Sequence, residues 1–169
     1  MWWTLLGCAA LGPSETDNFL DAHERIIRIV QAHAEAVETP VRHGKGDGDY
    51  LFEGTLLPAS GEAWTGAVDI SGVGTAQQGG TRLAWSLALH YDQVDIAGVT
   101  LDGDVDATLS MTIDQTVALS DVLRGTLDLG GEARAEAVAF DYGMLVSSED
   151  PVRRFAGTLG GKPLDVALD

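Results

Sequence analysis

Between residues 81 and 129 apolar side chains return at every second position. Leu83, Trp85, Leu87, Leu89 and Tyr91 alternate with small or polar neighbours; Val105, Ala107, Leu109, Met111 and Ile113 do the same, followed by Val117, Leu119, Leu123, Leu127 and Leu129. A period of two sends successive side chains to opposite faces of an extended chain, so each run reads as a strand with one buried face. Turn signals separate the runs, among them Gly72 to Gly74, Asp92-Gln93, Asp102-Gly103, Asp114-Gln115, Gly130-Gly131 and Gly160-Gly161. Short turns join antiparallel neighbours. The reading is a meander of about nine strands, at 49–57, 63–71, 81–91, 94–101, 104–113, 116–129, 132–142, 152–159 and 162–168.

Ahead of the strands the period is different. Phe19, Ala22, Ile26, Val30, Ala34 and Val37 recur at spacings of three and four behind a cap-rich start at Pro13, Ser14, Thr16 and Asp17. This predicts an amphipathic helix from about Thr16 to Glu38, stopped by Pro40. Glu24 and Arg28 stand four apart and read as a solvent-side pair of small value. A one-sided sheet cannot leave its apolar face wet, and the helix is the one other element able to cover it. The expected fold class is therefore α+β, mainly β: an N-terminal amphipathic helix packed on a large curved antiparallel meander sheet or partial barrel, with a closed barrel as the alternative. Ala133, Ala135, Ala137 and Ala139 form a stripe of small side chains expected on one face, either packed under the helix or forming a shallow groove for an acyl chain or peptide.

Charge and cysteine content exclude several classes. The formal charge is −16, from 26 Asp plus Glu against 10 Lys plus Arg, and such a surface repels a nucleic-acid backbone. One Cys cannot form an internal disulfide, and no apolar run is long enough for a membrane-spanning helix. At 169 residues and 45% hydrophobic, the chain suits one globular domain. Arg25, Arg28, Arg42 and Lys45 gather in the first 45 residues. They read first as solvated cations and second as a face toward anionic headgroups.

The chain opens Met1-Trp2-Trp3-Thr4-Leu5-Leu6-Gly7-Cys8-Ala9-Ala10. Leu5, Gly7 and Cys8 occupy the places of a bacterial lipobox, and the stretch resembles the start of a bacterial lipoprotein. The resemblance implies that Cys8 is the lipid-attachment residue, that the partner is a membrane reached through that anchor, and that the address is the cell envelope. Ala9 in place of Asp points to the outer membrane. The corresponding division is 1–8 as signal and lipobox remnant, 9–15 as a short tether and 16–169 as a single helix-plus-sheet domain.

Motifs that carry chemistry fail on inspection. His23-Glu24 begins a His-Glu-x-x-His zinc pattern, but Ile27 stands where the second His is needed. His23, His33, His43 and His90 are read at solvent edges. Gly160-Gly161-Lys162-Pro163 lacks the Ser or Thr of a phosphate loop, and no Gly-x-Ser-x-Gly elbow occurs. Asp102-Gly103-Asp104-Val105-Asp106 is read as a hairpin turn with two outward carboxylates rather than a calcium loop, since Ala107 and Ile113 occupy its Gly and Glu places. Asp47 and Asp49 form a second acidic pair with less support. No catalytic residue, metal ligand or cofactor is assigned. The expected function is a lipid-anchored envelope protein with a non-catalytic binding or structural domain. The alternatives are a carrier or chaperone for an apolar ligand held between helix and sheet, and an envelope enzyme with an unrecognised site. An apolar ligand or an envelope protein is the expected partner class.

Overall fold

A computed structural model describes residues 11–33, 37–40, 47–78 and 81–169. One helix, α1 (Pro13–Ala32), precedes β1 (Glu38–Pro40), β2 (Gly48–Leu56), β3 (Trp64–Gln77), β4 (Arg82–Ile96), β5 (Val99–Ile113), β6 (Val117–Gly131), β7 (Ala135–Ser147), β8 (Arg153–Leu159) and β9 (Lys162–Leu168). Every strand pairs antiparallel with its neighbours in sequence, in the spatial order β1 to β9. The sheet is a meander and is not closed: among the described residues β1 pairs only with β2, and β9 only with β8.

The helix begins one turn earlier than Thr16. Pro13 takes the first helical position, where its missing N–H is no loss, and the Glu15 carboxylate accepts the Gly12 N–H at 2.6 Å. It also ends earlier than Glu38, at Ala32 with His33 as its cap, and Glu38–Pro40 instead extends against β2. The domain thus includes residues assigned to the tether, since Leu11 packs against the core and the helix opens at Pro13.

From residue 48 onward the chain makes eight strands, not the nine expected. The three expected strands 81–91, 94–101 and 104–113 are two: β4 continues through Asp92-Gln93 to Ile96, the turn falls at Ala97-Gly98, and β5 runs unbroken through Asp102-Gly103. Asp92-Gln93 is a bulge, with register passing from Tyr91↔Gly103 to Val94↔Leu101 and Gln93 at φ 48°. Gly103 is no turn residue but a close-approach residue. Its φ is 130°, and a Cβ there would lie 2.6 Å from the Thr126 carbonyl oxygen. Gly72 to Gly74 likewise lies inside β3, where Gly74 faces Trp85 so closely that a Cβ would come 2.2 Å from the indole Cδ1.

The alanine stripe is split by a second bulge. Leu129 pairs with Ala135 but Leu127 with Val138, and Ala137 takes φ 50° with its N–H donated to Asp128 Oδ1 at 2.7 Å. This changes the phase of β7, so Ala133 and Ala135 are buried while Ala137 and Ala139 are exposed.

Residues of one face supply the core: Leu87, Leu89 and Tyr91 of β4, Leu101, Val105 and Leu109 of β5, Leu123 and Leu127 of β6, Phe140, Tyr142 and Met144 of β7. Phe19, Leu20, Ile26, Ile27 and Val30 of α1 are buried in the same cluster, each contributing roughly 2 kcal/mol by leaving water. Gly103→Ala is expected to cost about 2–4 kcal/mol in urea unfolding, from backbone strain plus the clash with Thr126. A loss below about 0.5 kcal/mol would mean that the strands do not approach there as described.

Candidate functional site

Polar groups of α1 meet partners on several strands. His23 is fully buried, not at a solvent edge. Its Nδ1 lies 2.6 Å from Tyr142 Oη and its Nε2 lies 3.1 Å from Tyr91 Oη. A neutral imidazole has one donor and one acceptor, which fits Tyr142 O–H donating to Nδ1 and Nε2–H donating to Tyr91. Phe19 and Phe140 enclose the ring, each with its centroid 5.2 Å from that of His23. Burial pulls the imidazole down to about 3 and raises both phenols above their ordinary range, so all three groups are neutral across the physiological range.

Beside His23 on the same turns of α1 lies an ion-pair network. Glu24, expected on the solvent side, is 6% exposed and accepts Arg28 Nε at 2.6 Å and Arg153 Nη1 at 2.8 Å. Arg153 Nη1 also reaches Asp21 at 2.9 Å, and Asp21 accepts Arg25 Nε at 2.7 Å. Arg153 comes from β8, so it fastens a late strand to the helix, and a buried carboxylate needs such partners to remain charged. Further along, Asp121 of β6 faces inward, 2% exposed, and accepts Gln31 Nε2 at 3.2 Å. Burial pushes its carboxyl up to about 7, against the attraction of Arg28. At the end of α1, His33 Nε2 lies 3.1 Å from Glu62 Oε1, while Glu62 Oε2 accepts the Ala59 N–H at 2.7 Å and Trp64 Nε1 at 2.9 Å. Those two hydrogen bonds and His33 hold the Glu62 carboxyl below its usual range, the backbone bond most strongly.

On the opposite face of the sheet several acidic residues have partners of their own. Asp104 accepts His90 Nδ1 at 2.8 Å, Asp102 accepts Gln93, and Asp141 receives Arg124 through Nε at 3.0 Å. The hydrogen bond to Asp104 raises the His90 imidazole. Asp102, Asp104 and Asp106 lie within β5, two residues apart on one face, with Asp104 and Asp106 exposed, not at a hairpin. Among the described residues no group of three or more His, Cys, Asp or Glu is placed to hold a metal ion. Cys8, Arg42, His43 and Lys45 lie outside the described residues.

Two cavities border the helix. One of about 430 Å³ is lined by Arg25, Arg28, Ile29, Glu62, Trp64 and Ile96 among others; another of about 340 Å³ lies between the start of α1 and the β8–β9 hairpin, with Leu11, Thr16 and Lys162 on its wall. Comparison with protein-family models, with curated proteins and with solved structures gives no match.

Sequence reading missed Asp121, Arg153 and the tyrosine partners of His23. Asp121 carried a signal, since it sits in phase with Leu119 and Leu123 on the buried side of the β6 alternation. The His23 contacts carried none, because Tyr91 and Tyr142 lie 68 and 119 residues away.

His23 and Asp121 act on stability with opposite signs. His23 titrates near 6.5 unfolded and about 3 folded, so its contribution is complete above 6.5 and is lost as pH falls toward 3. Asp121 titrates near 3.8 unfolded and about 7 folded, so its contribution is complete below 3.8 and is lost as pH rises through 7. Between pH 4 and 6.5 the two slopes oppose, each at most about 1.4 kcal/mol per pH unit. Relative to wild type, Asp121→Asn is expected to gain stability with rising pH in that window and His23→Gln to lose it, both read by urea unfolding. Parallel pH profiles for the two variants would contradict the assignment.

Proposed function

We propose that the chain is a lipid-anchored cell-envelope protein whose folded domain is a non-catalytic binding or structural module. In this reading the sheet curves around α1, which lies across its apolar face as a permanent cover, and Cys8 carries the lipid. The observation that carries it is the Leu5-Leu6-Gly7-Cys8 pattern standing directly before a domain that opens at Leu11 and Pro13. From Cys8 to Pro13 the chain reaches roughly 17 Å at about 3.4 Å per residue, so the domain sits against the bilayer surface that holds the anchor. Acyl chains contribute roughly 0.8 kcal/mol per buried methylene, and more than one chain makes attachment stable.

The arrangement of polar groups supports a module rather than a reaction centre. His23, Tyr91, Tyr142, Glu24 and Arg153 satisfy one another across the helix and strands. The outer membrane is the assigned location on the strength of Ala9.

Membrane fractionation of wild type and Cys8→Ser, with mass spectrometry of the mature N-terminus, tests this reading. Wild type is expected in the membrane fraction with an acylated Cys8, and Cys8→Ser in the soluble fraction. An unmodified Cys8, or two proteins that partition alike, would overturn it.

A further inference from the structure

The larger groove beside α1 brings apolar walls and two arginines together. Its walls include Ile29, Trp64 and Ile96, and its rim carries Arg25 and Arg28, which share a helix face with Ile29. Arg25, Arg28 and Arg153 share the two carboxylates Asp21 and Glu24, so these guanidiniums outnumber the carboxylates that pair with them. Arg25 and Arg28 are each held through Nε alone, and among the described residues their terminal amino groups carry no hydrogen bond. The groove's own carboxylate, Glu62, is occupied by the Ala59 N–H, Trp64 Nε1 and His33. A guanidinium with a free pair of amino groups is suited to a planar carboxylate, and an apolar trough beside it is suited to a hydrocarbon chain. The volume, about 430 Å³, lies in the range of small-ligand sites.

We propose that this groove binds a free long-chain carboxylate, with the headgroup on Arg25 and Arg28 and the alkyl chain along Ile29, Trp64 and Ile96. This gives a ligand class to the binding module proposed above and rests on that reading only in taking the domain to bind. The anchor at Cys8 is a separate matter, and its loss leaves the groove unchanged.

Isothermal titration calorimetry of the full chain with monomeric laurate tests the proposal. Saturable one-to-one binding is expected, weakened roughly tenfold in Arg25→Gln through loss of one charge-assisted contact. Ala63 also lines the groove and is exposed, so Ala63→Trp, which leaves every charge in place, is expected to fill it and abolish binding, and Arg82→Gln on the opposite face to leave it unchanged. Dodecyltrimethylammonium, with the same chain and the opposite charge, is expected not to bind. Thermal melts of each variant check that the fold is retained. Absence of laurate binding at millimolar concentration, equal affinity for the cationic amphiphile, or wild-type affinity in folded Arg25→Gln and Ala63→Trp would each overturn the proposal. In a separate arm Cys8→Ser is mixed with phosphatidylglycerol vesicles. Vesicle binding without laurate binding would reassign the arginines to a bilayer surface and overturn the free-carboxylate reading.

Discussion

The fold depends on the contact between α1 and the apolar side of the sheet. Eight long antiparallel strands expose, by their alternation, a continuous apolar face that water would make unstable. Phe19, Ile26 and Ile27 sink into that face, and His23 goes with them because Tyr91 and Tyr142 offer it two hydrogen bonds. The contact holds only while the imidazole is neutral, since a charged ring in that enclosure would be costly to bury. Asp121 imposes the opposite condition beside Gln31, because burial favours its protonated form. Between pH 4 and 6.5 these two buried groups therefore act on stability in opposite directions.

Much of the fold was legible because alternation is a local property. The helix, the switch from period 3.6 to period two, and the antiparallel meander all follow from spacings within a few residues. The errors arose where local rules have two structural meanings. Asp102-Gly103 has the composition of a hairpin turn, yet Gly103 serves strand contact, as its approach to Thr126 requires. Asp92-Gln93 and Ala137 are bulge positions, and a bulge reverses which alternate residue faces inward. The four-alanine stripe could not be placed without knowing that reversal. His23 lay beyond sequence reasoning for a different reason, since its burial is set by partners far along the chain.

Both sides of the molecule carry acidic residues paired with cations. The outer side of the sheet carries Asp69, Asp102, Asp104, Asp106 and Asp141, met there by Arg124 and His90. The flank of α1 carries Arg25 and Arg28, with Arg153 reaching in from β8. Glu24 links the two purposes of that flank. Its partnership with Arg153 ties β8 to the helix, and its partnership with Arg28 through Nε alone leaves the rest of that guanidinium facing the groove.

Native-state hydrogen exchange tests the dependence of the sheet on the helix most directly. If the helix is an integral cover, amides between Phe19 and Val30 exchange with the same free energy as those of the central strands β4 to β7, in one global opening. If the helical amides exchange through a separate opening of lower free energy while the strands keep full protection, the sheet stands without its cover and the account is wrong.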